Sequence, residues 1–329
     1  RPIDLLDRTR REPCDYAVDY RVTPRDGRRL ITAALTCCSS GEILWIHRFA
    51  FGEPLARAVR DLVVNCVHQV EQAELRALAD GPDRTTAYRL TVQGNRLLRA
   101  IDLPSIRRAR QVFRAALAAD PEHAPTLAAV SKAYRLEWLL LARADDKELD
   151  LAIDFARQAI ASGPDSPHGL HQLGICNIYK KNHELGLEAL DRAERVTPYA
   201  AELIADHADA LIISGFANEG LTKAAPLLED RLIPSDQVLW IVGSGQYLAG
   251  RYSDALVTLS RLSSQEPVYQ LAAACHAMLD QDEEAQRYAR KLREILPDFK
   301  VAMRLGMVPL RRREDIERYE NGLRSAGFE

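Results

Sequence analysis

Residues 170–198 read LHQLGICNIYKKNHELGLEALDRAERVTP. Gly174, Gly186 and Ala193 punctuate a run of large apolar residues, Tyr179 lies between the two glycines, and Pro198 closes the stretch. Small residues at such intervals mark points where two helices cross with almost no gap, so that only Gly, Ala or Ser fits. The closing proline cannot continue a helix. This spacing predicts a helical hairpin, one unit of a repeat about 34 residues long.

Related units lie on both sides. The closing prolines are Pro121, Pro164, Pro198, Pro234, Pro267 and Pro297, with successive separations of 43, 34, 36, 33 and 30 residues. Counting back 12 residues from five of them reaches a small second-helix residue: Ala109, Ala152, Gly186, Ala255 and Ala285. Pro234 leads to Thr222 instead, so the fourth unit has slipped and Gly220 is its equivalent. The small positions of the first helices are Gly94, Ser131, Gly174, Ala208, Gly243 and Ala273. The second unit is long, with extra residues near Leu139–Lys147 that lengthen its helices or its turn. From Val301 the repeat stops. Arg311–Tyr319 reads as an amphipathic closing helix, the polar cap that a stack of apolar hairpins needs.

Before Thr85 the pattern differs. A short helix is expected over residues 3–11, then strands at Tyr16–Val22, Leu30–Thr36 and Ile43–Phe49. Pro24-Arg-Asp-Gly27 and Ser39-Ser-Gly41 supply the turns. Leu55 to about Leu78 has apolar residues at helical spacing and is expected to cover the three-stranded meander. Asp80-Gly81-Pro82 ends that helix. The expected organisation is a small α/β domain over 1–81, a mainly α solenoid of about six hairpins over 82–300, and a capping segment over 301–329.

Composition narrows the function classes. The chain is 47% hydrophobic and 28% charged with a net charge of −3, so there is no global pull toward nucleic acid or membrane. No apolar run is long enough to span a bilayer. The six cysteines form no CxxC pair, which points to a reducing, cytoplasmic compartment. The chain starts at Arg1 without methionine, and further sequence is expected upstream.

The hairpins resemble tetratricopeptide (TPR) repeats. Asp15-Tyr-Ala-Val-Asp-Tyr-Arg-Val22, Leu30-Ile-Thr-Ala-Ala-Leu35, Gly41-Glu-Ile-Leu-Trp45 and Arg48-Phe49 resemble the end of a TolB-amino-terminal-like domain. The Ala-x-Asp-Pro phrase at Ala118–Pro121 and Gly322-Leu-Arg-Ser-Ala-Gly327 are also similar to that family. The resemblance implies a bacterial signalling or transcriptional regulator with an output domain upstream, of winged-helix or adenylate cyclase type. DNA would be reached only through that missing domain. The incomplete sheet leaves an edge strand through which copies of the chain could pair.

Catalytic chemistry finds no footing. Gly243-Ser-Gly245 reads as a helix crossing rather than a phosphate loop. His183-Glu184 lacks the second zinc-protease histidine, because Leu187 stands there. Asp280–Glu284 has the acidity of a calcium loop without its glycine or its length. No catalytic residue, cofactor or metal is expected, and the chain reads as a regulatory and protein-interaction module.

In a TPR stack the first helices line a concave groove. That rule selects Asn95 and Arg99, Lys132 and Arg135, His171 and Tyr179 with His168 one turn earlier, and Trp240, Ser244 and Tyr247. Leu98, Leu136, Asp209 and Ile212 are selected with them. The groove is thus expected to be basic in its N-terminal half and aromatic in its C-terminal half, suited to a peptide with an acidic end and an apolar anchor.

Overall fold

The computed structural model describes residues 15–25, 28–38, 41–50, 62–63, 65–70, 72–74, 86–100, 102–141, 146–164, 166–198, 200–228 and 236–329. The helix expected over 3–11, the turn residues Asp26-Gly27 and Ser39-Ser40, both ends of the 55–78 helix and the breaker at 80–82 lie outside them. Two compact units are formed, Arg1–Ala129 and Val130–Glu329.

The first unit opens with an antiparallel sheet of β1 (Tyr16–Arg25), β2 (Arg28–Cys37) and β3 (Ile43–Ala50), in the order β1-β2-β3. Tyr16 pairs with Cys37, Val18 with Leu35 and Tyr20 with Ala33, so these side chains share one face. Ala33 and Leu35 are buried on it. The helical residues 62–63, 65–70 and 72–74 are labelled α1, and Cys66 and Glu74 of this helix are buried. Tyr16 Oη donates to Glu74 Oε1 at 2.6 Å, which ties α1 to the face carrying Leu35, as the sequence predicts. The other Glu74 oxygen accepts from Arg89 Nε at 2.5 Å, linking α1 to the first hairpin. That hairpin is α2 (Ala87–Leu98) and α3 (Leu103–Ala119), with Thr86 and Asp102 as N-caps.

Helix α4 (Ala124–Leu141) carries the division between the units and pairs with α5 (Lys147–Ser162). The extra residues of this repeat lengthen α4 to 18 residues. The following pairs are α6 (Pro167–Tyr179) with α7 (His183–Val196), α8 (Ala201–Ile213) with α9 (Ala217–Leu228), α10 (Asp236–Leu248) with α11 (Tyr252–Leu259), and α12 (Tyr269–Ala277) with α13 (Asp282–Ile295). A 3-10 turn, Glu266–Val268, leads into α12. Helices α14 (Val301–Met307) and α15 (Arg313–Ser325) follow.

The predicted small positions are the helix crossings. A Cβ on Gly174 would lie 3.0 Å from the Gly186 carbonyl oxygen, and one on Gly186 would lie 2.9 Å from the Gly174 oxygen. In the slipped fourth repeat a Cβ on Gly220 would lie 2.5 Å from the Ala208 oxygen, which fixes Gly220 as the equivalent residue. In the second repeat Ser131 Oγ donates to the Ala152 carbonyl at 2.6 Å, so its hydroxyl satisfies the partner backbone. Gly243 sits against Leu259, and Gly245 against Ile212.

The turn between paired helices repeats as well. Seven residues after the small first-helix position stand Lys181, Gly215, Gly250 and Asp280, all with left-handed φ of 62°, 95°, 77° and 56°. The next amide in each case reaches back across the turn: Asn182 to Asn177, Phe216 to Leu211, Arg251 to Gln246 and Gln281 to His276, at 2.8–2.9 Å. This is the Schellman closure of a helix C-terminus, and glycine adopts it without strain. A lysine at that position costs about 1–2 kcal/mol.

Two substitutions should therefore move stability in opposite directions. Gly186→Ala is expected to lose about 1–3 kcal/mol through overpacking against a backbone carbonyl, outweighing its better helix propensity. Lys181→Gly is expected to gain up to about 1 kcal/mol. Urea unfolding followed by circular dichroism reads both, and a stabilising Gly186→Ala would refute the crossing geometry.

Candidate functional site

In the second unit the first helices α4, α6, α8, α10 and α12 carry the residues that the sequence assigns to the groove. Its C-terminal half is not open. Helix α15 packs on α12 and α10 rather than only on the end of the stack. Tyr247 Oη donates to the Arg318 carbonyl at 2.9 Å, and the Tyr319 ring meets the Tyr247 ring edge-on at 5.8 Å. Gly322 lies so close to Tyr247 that a Cβ there would stand 2.1 Å from the phenol oxygen. Tyr247 is consequently 1% exposed. Trp240 is half-buried against the same core, and Ser244 is half-buried beside it. At Tyr247 the aromatic anchor site expected from sequence is filled by the chain's own C-terminal helix. Leu98, Leu136 and Ile212, also assigned to the groove, are buried core residues.

The segment leading into α15 extends this cover to the end of α8. The Arg311 amide donates to the Ile213 carbonyl at 3.1 Å, and the Arg311 guanidinium pairs with Glu184. Arg312 packs against Gly215 and donates to its carbonyl at 3.4 Å.

Beyond that boundary lies a small pocket open to solvent, lined by Arg135, Ile175, Ile178, Tyr179, Asp206, Asp209, Ala210 and Ile213. Its polar side chains come from three consecutive first helices. Lys132 and Arg135, assigned to the basic half of the groove, have partners within the chain. Lys132 pairs with Glu202, and Arg135 Nε donates to Gln172 Oε1 at 3.3 Å. His171 Nε2 lies 2.9 Å from Asp206 Oδ2, and Gln237 Nε2 donates to Asp206 Oδ1 at 2.8 Å. Burial pushes the Asp206 carboxyl up, but the His171 hydrogen bond and the charges of His171, Arg135 and Lys132 hold it below its usual value. Asp209 is different. It accepts no hydrogen bond and forms no ion pair among the described residues. Burial, with the Asp206 charge added, pushes its carboxyl up to about 7.

The structure thus brings Arg135, His171 and Tyr179 together, with Lys132 at the rim. His168 is exposed one turn before His171. Asn95 on α2 and Arg99 at its C-cap are exposed in the first unit. Sequence reasoning missed Glu202 and Asp206. Glu202 precedes Ala208 by the same six residues by which His168 precedes Gly174, so the offset that found the histidine also finds the glutamate. Asp206 carries no such signal. Among the described residues no group of three potential metal ligands occurs, and no helix is long and apolar enough to cross a membrane.

No family model and no curated protein matches the sequence. Among solved structures, the chain is similar to the Cut9–Hcn1 hetero-tetramer of APC/C, at 16% identity and a TM-score of 0.58. That match covers 75% of this chain and 48% of the other. A tetratricopeptide repeat protein from Parabacteroides merdae shows 16% identity and a TM-score of 0.47, covering 82% of this chain and 98% of that one. PilF of Pseudomonas aeruginosa shows 17% identity and a TM-score of 0.47, covering 65% and 93%. The likeness is one of fold, a TPR-type α-solenoid, and in this chain a small three-stranded sheet precedes it.

The Asp209 environment sets a pH dependence. Its folded pKa is raised, so its contribution to stability is fully present below the unfolded value near 3.8 and is lost as pH rises to about 7. Asp209→Asn should remove that fall. The stability difference between variant and wild type, read from urea midpoints, should grow in favour of the variant from pH 4 to pH 7 and stay level above.

Proposed function

We propose that this chain is a non-enzymatic interaction scaffold whose uncovered groove, formed by α4, α6 and α8, takes an extended peptide from a partner protein. The observation that carries this reading is the pocket between Arg135, Tyr179 and Asp209. It is a concave site with aliphatic walls and converging polar groups, left open where α15 has covered the rest of the groove. The acidic-ended peptide that the basic residues of the groove suggest keeps only one of its two cations, because Lys132 is paired with Glu202 whereas Arg135 donates to the neutral Gln172 amide.

The sequence resemblance to TolB-amino-terminal-like regulators supports a narrower version. In it the groove senses a ligand for an upstream output domain, and that domain is a DNA-binding transcriptional regulator.

Panning a random peptide library on the intact chain tests the scaffold reading. Selected peptides should lose at least about tenfold in affinity with Ile175→Arg or Ile213→Arg, the loss expected when an apolar wall is replaced by a long charged side chain that fills the pocket. Val257→Arg, at a second-helix position that is 67% exposed, should leave affinity unchanged. Binders insensitive to both groove substitutions would overturn the assignment.

A further inference from the structure

We propose that this pocket recognises a cationic group on the partner peptide: a lysine or arginine side chain, or a free amino terminus. The inference rests on the groove reading and adds the chemistry of the ligand. Four of the lining residues, Ile175, Ile178, Ala210 and Ile213, are aliphatic, and Tyr179 adds an aromatic surface. Such walls suit the methylene stem of a long basic side chain, which buries its carbons while its head seeks an acceptor. The acceptor at hand is Asp209, the one lining carboxylate with no internal partner among the described residues.

Among the neighbouring charges, Asp206, Lys132 and Glu202 have partners of their own, and Arg135 donates to the neutral Gln172 amide beside Asp206. Asp206 accepts from His171 and Gln237 with its two oxygens, and the nearby Arg135 charge favours its ionised form. Lys132 and Glu202 satisfy one another. The carboxylate left for a ligand is that of Asp209. A half-buried carboxylate without a partner costs free energy, and an incoming ammonium or guanidinium removes that cost. An acidic ligand group would instead face Asp206 and Asp209 at short range.

The groups around Asp209 define how pH enters. They are Arg135 from α4, Tyr179 from α6 and Asp206 from its own helix, with His171 bonded to Asp206 behind them. The neighbour from α10 is Gln237, which does not titrate. Asp209 is held protonated below about pH 7, so the preference for a cation should strengthen as pH rises through neutrality.

Isothermal titration of the intact chain tests this with capped peptides of one sequence differing at a central residue: lysine, arginine, ε-acetyl-lysine or glutamate. A further arm is an uncapped peptide with a free amino terminus and no basic side chain. The lysine or arginine peptide, or the free-amine peptide, should bind at least about tenfold tighter than the ε-acetyl-lysine and glutamate peptides, and the winning arm identifies the source of the cation. Asp209→Asn should abolish that preference, and Asp254→Asn, an exposed carboxylate on α11, should keep it. In wild type the preference should be larger at pH 8 than at pH 5. Equal binding of all peptides, still lost with Ile213→Arg, would overturn the cation proposal and leave the groove reading standing. A preference that survives Asp209→Asn would also overturn it, and binding by none of the peptides would overturn both.

Discussion

The solenoid depends on backbone meeting backbone inside each hairpin. At Gly174 and Gly186 each Cα faces the other's carbonyl, and an added methyl would stand 2.9–3.0 Å from oxygen. At Ser131 the same place is held by a hydroxyl hydrogen bond of 2.6 Å to the Ala152 carbonyl. A close-packed crossing of this kind cannot slide, because a shift by one residue replaces a hydrogen or a small group with a large side chain. With the crossing fixed, each hairpin presents the same turn of its first helix to the groove. The positions of Arg135, His171 and Asp209 follow from that register.

That is why so much of the fold was legible. Steric exclusion writes itself into sequence as Gly, Ala or Ser at a fixed interval, and every assigned crossing, including the slipped Gly220, is buried in the structure. The strands were legible for a related reason, since alternation marks a sheet with one face covered. The left-handed turn residue seven places on was half legible. Gly215 and Gly250 announce it, but Lys181 and Asp280 adopt the same conformation without a glycine to show it.

The site was legible only in outline. Helical periodicity places Lys132, Arg135, His171 and Tyr179 on one face of the first helices, but it says nothing about which charges cancel. Glu202 lies 70 residues from Lys132, and Asp206 lies 35 from His171, so these pairs are products of stacking rather than of local pattern. The same holds for the C-terminal helix. Its amphipathic pattern marks Arg311–Tyr319 as a closing helix, but does not show that Tyr319 packs edge-on against Tyr247 of the groove.

The return of that helix changes how the molecule comes apart. A solenoid whose repeats touch only their neighbours can fray from its end one hairpin at a time. Here the Arg311–Glu184 pair closes a loop of 127 residues and the Tyr247–Arg318 bond one of 71. The entropy of closing such loops grows only with the logarithm of their length. The tail therefore ties the last repeat to the third, fourth and fifth at modest entropic cost. The terminal hairpin cannot open until α15 leaves, and α15 cannot dock until the earlier hairpins exist. The last residues of the chain are thus the latch of a cooperative unit, and amide exchange in the sixth repeat reports on the integrity of the third.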